Sequence, residues 1–207
     1  SLILVQSYRI GDLSQVYPLT RGIAPVAVVL FSLVLVGEPL PWNKIAGVVA
    51  VSLGIASLAW HRQLLADGRW KPVALSILNG FLIGGYTLLD GLGARASGSP
   101  LAYGGWLFLC FGLPWLLALP LYPPVRRRGW EPHWAWLLLV GGGLCCAAYL
   151  TVVWALSLQA AAPVSALRET SVIFAALLGS LLLREPFGTR RVAASAVVAM
   201  GVLLISL

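Results

Sequence analysis

The chain has 207 residues, 59% of them hydrophobic and 10% charged, with a formal net charge of +7 and a mean hydropathy of +0.90. A water-soluble domain carries about 25% charged residues, so this composition excludes a soluble globule and makes lipid the solvent. The basic excess sits in short segments between apolar runs, where anionic headgroups account for it without any nucleic acid.

In chain order, residues 1–9 read as the end of a helix already in progress, and full spans are expected at 16–36, 43–60, 72–94, 101–121, 134–158, 163–183 and 190–207. Each is close to the roughly 20 apolar residues that cross a bilayer. Period-two alternation is absent and an open sheet edge cannot stand in hydrocarbon, so the spans are helices. The expected fold class is therefore all-α, a polytopic membrane helical bundle. The breaks at 37–42, 61–71, 95–100, 122–133, 159–162 and 184–189 carry most of the charge and much of the proline. Such short connections make neighbouring spans antiparallel and leave no room for a soluble domain.

Trp42, Trp60, Trp70, Trp130, Trp134 and Trp136 fall at span ends, where an indole prefers the headgroup layer. Gly80 and Gly84 form a GxxxG pair, and Ala46, Ala50 and Gly54 a longer small-residue row. Both spacings let helix backbones approach closely. One side of the membrane collects Arg9, Arg62, Arg69, Lys71, Arg126, Arg127, Arg128, Arg184, Arg190 and Arg191, whereas the other holds Lys44 and Arg95. The richer side is cytoplasmic by the positive-inside rule.

The chain also repeats itself at an offset of 147 residues: Arg21 returns as Arg168, Glu38-Pro39 as Glu185-Pro186, Lys44 as Arg191 and Gly54 as Gly201. The segment 72–207 holds five spans. Because five is odd, a second copy enters from the opposite face, so the expected repeats are inverted five-helix units. Residues 1–60 are then the remnant of a first repeat, 61–71 the connection, and 72–207 the second repeat. Residues 72–147 lack an upstream counterpart, so roughly 75 residues are expected before residue 1. The bundle seen here has about seven full spans and a partial one.

Charges inside spans are costly and mark functional candidates. Arg21 has Tyr17 one turn earlier on the same face, and Pro25 one turn later deprives the Arg21 carbonyl of its helical donor. That combination suits a carboxylate or zwitterion, the alternative being an arginine snorkelling beside a kink. Arg168 and Glu169 are adjacent, about 100° apart on a helix, and are not expected to line one surface equally. They are read either as substrate or proton ligands or as interhelical ion pairs. Ser165 shares the Glu169 face. Asp90 is expected in a local ion pair or turn. Glu38 with Lys44, and Glu185 with Arg191, are expected to clasp the hairpins. Tyr86, Tyr149 and Trp154 lie at mid-depth as candidate wall residues.

Two stretches carry a family resemblance. The first is Gly11-Asp12-Leu13-Ser14-Gln15-Val16-Tyr17-Pro18-Leu19, followed by Arg21, Pro25 and Gly37-Glu38. The second is Pro163-Val164-Ser165-Ala166-Leu167-Arg168-Glu169, closed by Arg184-Glu185. Each resembles the end of an EamA repeat of the drug/metabolite transporter superfamily. The resemblance implies ten helices in two inverted repeats around a central cavity, moving small metabolites, often outward, without ATP. By that pattern, two helices and most of a third are expected ahead of residue 1.

The function expected is secondary transport, with export of small metabolites such as amino acids by alternating access from the inner (plasma) membrane. No enzymatic activity and no cofactor or metal is expected. Cys110, Cys145 and Cys146 lie in apolar runs, His61 and His133 lie at span ends, and no nucleophile or phosphate-loop motif occurs. The partners are a small-molecule substrate and the bilayer, with proton coupling and a homo-oligomer left open. The alternatives are an intramembrane lipid-modifying enzyme, which needs a catalytic cluster at headgroup level, and a non-transporting scaffold.

Overall fold

The computed structural model describes residues 13–59, 70–118, 132–171, 174 and 189–207. Every regular element among them is helical. Helix α1 spans Leu13–Phe31 and continues as a π-helical turn over Ser32–Val36. It is followed by α2 (Trp42–Ala59), α3 (Trp70–Ala96), α4 (Pro100–Ala118), α5 (Pro132–Leu158), α6 (Ala161–Glu169) and α7 (Thr189–Ser206). The all-α polytopic bundle is as expected, and the helix bounds match the expected spans to within a few residues. The stub 1–9 and most of the span 163–183 beyond residue 171 lie outside the described residues. Val16–Val36, Trp70–Ala96, Pro100–Leu117 and Leu139–Leu158 are long and apolar enough to cross a membrane, and Trp42–Leu58 and Val192–Ser206 are shorter apolar helices.

The chain divides into two compact units, residues 1–89 with 159–207 and residues 90–158. In the first, Pro18 and Pro25 lie inside α1. Pro25 has no N–H, so the Arg21 carbonyl loses its helical partner there. The α1–α2 turn is closed by backbone. Gly37 takes a left-handed φ of 69°, and the N–H groups of Gly37 and Glu38 both donate to the Ser32 carbonyl. That is a helix C-terminus sealed by a glycine. The Pro41 carbonyl then accepts from Lys44 and Ile45 at 3.0 and 3.2 Å. The second hairpin clasp, Glu185 with Arg191, falls outside the described side chains.

Small residues decide how these helices pack. A Cβ on Gly80 would lie 2.7 Å from the Ile23 side chain, and one on Gly84 would lie 2.6 Å from the Ala27 side chain. The GxxxG pair of α3 is therefore spent on α1. A Cβ on Gly22 would lie 2.9 Å from the Ser52 carbonyl, which draws α1 onto α2. Against α7, helix α2 uses Gly47, Val51 and Gly54. The anticipated row is thus shifted by a position: Gly54 stays in it, but Ala46 and Ala50 are only half-buried. Valines fill the gaps between the glycines; Val48, Val51 and Val198 are almost completely buried. In lipid, this fit of small residues and methyl groups, and not water exclusion, holds helices together.

The α2–α7 seam obeys the 147-residue offset. Adding 147 to the bounds of α2, 42 and 59, gives 189 and 206, the bounds of α7. Gly54 meets the Val198 side chain, and Gly201 meets that of Val51. Gly54 meets the Ala194 carbonyl, and Gly201 meets that of Gly47. Each contact becomes the other when 147 is added to one partner and subtracted from the other. Low numbers in one helix face high numbers in the other, so the pair runs antiparallel. A half-turn exchanging the two helices generates this pattern.

The second unit contains the end of α3, α4 and α5. The α3–α4 turn is set by Gly98, with a φ of 65°, and by Ser99, whose hydroxyl accepts from the Ala102 N–H at 3.4 Å. Serine is a preferred helix N-cap for this reason. Gly104 of α4 packs on Leu150 of α5.

Candidate functional site

The first unit gathers most of the candidate residues around one carboxylate. Glu169 ends α6 and is fully buried. The α1 residue Arg21 donates from Nη1 to both of its oxygens, at 3.1 and 3.2 Å. Arg168 donates from Nε and Nη2 to Oε1 at 3.1 and 3.0 Å. Arg21 and Arg168 are counterparts under the 147-residue offset, whereas the counterpart of Glu169 is Gly22. One acid, present in one copy only, therefore sits between two equivalent bases. Arg168 and Glu169, about 100° apart on the helix, are unequally exposed, yet they meet. The arginine stem is long enough to carry its guanidinium across the angular offset onto the neighbouring carboxylate.

The charges here amount to two guanidinium groups and one carboxylate. Ion pairs buried in this way are weak sources of net stability, but breaking one is costly because it leaves an uncompensated charge. The side chain of Arg21 keeps 30% of its surface exposed and that of Arg168 14%. The Tyr17 ring lies beneath Arg21, 5.3 Å from guanidinium carbon to ring centroid, within cation–π range. Tyr86, on α3 of the same unit, is exposed. Ser165 is fully buried one turn before Glu169, and its hydroxyl has no hydrogen-bond partner among the described residues. Small neighbours make this possible: Ala161, Ala162 and Ala166 bring α6 close to its surroundings.

The other two candidates belong to the second unit. There the Tyr149 hydroxyl donates to Asp90 Oδ2 at 2.5 Å, and the Tyr103 hydroxyl donates to Oδ1 at 2.9 Å. Asp90 is buried. It is thus the acceptor of two phenols from two other helices, a wider role than the local one expected. Phe108 meets Tyr149 edge-on at 6.2 Å. Trp154 is 54% exposed and has no part in this cluster. Tyr103 was missed in the sequence. Pairing residues outward from Gly98 sets Tyr103 opposite Gly93, which its ring touches, and Asp90 lies one turn before Gly93. Among the described residues no group of His, Cys, Asp and Glu could hold a metal ion, and the three cysteines are free and exposed.

The sequence profile of the EamA-like transporter family matches residues 70–207. The chain belongs to that family. It is accordingly a multi-pass membrane transporter of the drug/metabolite type, and the EamA family is not an enzymatic one. One solved structure, titled only as the crystal structure of a protein, resembles this EamA chain with a TM-score of 0.72 at 17% identity. The alignment covers 100% of this chain and 72% of the other. At that identity the likeness speaks for the fold. No curated protein matches the sequence.

Proposed function

We propose that this EamA-family chain is a secondary transporter that exports small metabolites, amino acids or similar compounds, from the cell across the inner membrane. In this reading residues 1–60 belong to a first repeat and 72–207 to a second, and the two repeats rock about each other in alternating access. The observation that carries it is the meeting of Arg21 with Arg168 and Glu169, one residue from the first repeat against two from the second. A charged cluster inside lipid-embedded helices is expensive, and such clusters mark substrate and ion pathways. The half-turn pattern of the α2–α7 seam supports the inverted arrangement. Tyr17, Arg21, Tyr86 and Arg168 are the residues proposed to face substrate, with the fully buried Ser165 and Glu169 behind them. Tyr149 and Trp154 remain candidates in the second unit.

The test is counterflow in proteoliposomes, with amino acids and other small metabolites screened as exchange partners. Exchange of at least one solute, lost on Arg21→Gln, supports transport. Failure of folded protein to exchange any solute overturns it in favour of a scaffold.

A further inference from the structure

Resting on that transporter reading, we propose that the Nε–Nη2 edge of Arg21 binds a substrate carboxylate. This narrows the substrates proposed above: the protein selects net-anionic monocarboxylates, and zwitterionic amino acids drop out of the class. A guanidinium has five N–H donors in a planar fork. Arg21 spends Nη1 on Glu169, and no hydrogen bond among the described residues uses its Nε or Nη2. That pair of nitrogens is the edge that grips a carboxylate with two parallel bonds. Arg21 is also the most accessible member of the cluster, at 30% side-chain exposure against 14% for Arg168 and none for Glu169.

Charge sets the class of ligand. Two guanidinium groups and one carboxylate leave a single positive charge, which one carboxylate neutralises. A zwitterion brings an ammonium as well, and this cluster offers it nothing charged. Its one acid is fully buried and already accepts four N–H contacts of 3.0–3.2 Å. The Tyr17 ring under the guanidinium holds its plane, so the free edge is presented in a fixed direction.

The experiment measures binding to the purified protein by ligand-induced shift in thermal unfolding, and exchange in proteoliposomes. The probes are benzoate and lactate, their neutral amides benzamide and lactamide, and the zwitterions phenylalanine and alanine. The acids are expected to bind about tenfold or more tightly than the amides and the zwitterions. Arg21→Lys keeps the charge and loses the fork, and is expected to cut that preference about tenfold. Amides or zwitterions binding as well as the acids overturns the proposal, as does a preference unchanged in Arg21→Lys. Exchange of solutes without any carboxylate preference defeats this proposal and leaves transport standing. Carboxylate binding without exchange defeats the transport reading alone.

Discussion

Gly47 and Gly201 stand so close that each occupies the place of the other's side chain. A Cβ on either would lie 2.7 Å from the carbonyl oxygen of its partner. Backbone cannot retreat from such a contact without moving a whole helix. Gly47→Ala and Gly201→Ala are each expected to destabilise the protein by about 1–3 kcal/mol, the usual cost of overpacking. Gly105 and Gly141 have open space where a Cβ would go, so alanine there is expected to be neutral or slightly stabilising through helix propensity. Thermal unfolding in detergent separates the two pairs.

Removing the charge of Glu169 leaves two guanidinium groups facing each other across α1 and α6. Glu169→Gln is expected to cost about 3–5 kcal/mol, as for a buried pair that loses one member. Adding Arg21→Gln to it is expected to cost less than the sum of the single changes, because that charge then has nothing to pair with. A double-mutant cycle on unfolding free energies reads the coupling.

The two phenols on Asp90 share one acceptor. Tyr103→Phe and Tyr149→Phe are each expected to lose about 1.5–3 kcal/mol, the range for a hydrogen bond to a charged group. The double variant is expected to depart from additivity, since both bonds end on the same carboxylate. Unfolding midpoints of the three variants test this.

Gly37 closes α1 with a φ of 69° and has nothing within 4 Å of where a side chain would begin. Any cost of Gly37→Ala is therefore conformational, about 1–2 kcal/mol. Gly37→Asn is expected to recover much of it, because asparagine tolerates the left-handed region. Comparing the two variants by unfolding distinguishes backbone strain from crowding.

The helices were legible because lipid imposes a simple rule: uncharged runs of spanning length, broken by charge and proline. The 147-residue offset was legible too, and it foretold the matching bounds of α2 and α7. What the sequence hid was rotation about each helix axis. The shift from Ala46 and Ala50 to Gly47 and Val51 is one residue in number but a quarter-turn or more in direction, and a helix apolar on all sides gives no periodicity to fix it. Arg168 was placed by its Cα direction, whereas its chemistry happens at the end of a flexible stem. The Asp90–Tyr149 bond joins residues 59 apart, and no local pattern encodes such a distance.

The reciprocal α2–α7 seam also fixes the length of both helices. Deleting one residue ahead of Gly47 turns everything upstream of the cut by about 100° relative to the contact face. The helix must then either rewind its entry from the Gly37 turn or slide along α7. Sliding by one residue puts Val48 in the place of Gly47 and Ile55 in that of Gly54 at once, since each glycine of one helix is seated against the other. The seam therefore admits exchange of side chains more readily than insertion or deletion, and its register is locked at both ends by the same pair of helices.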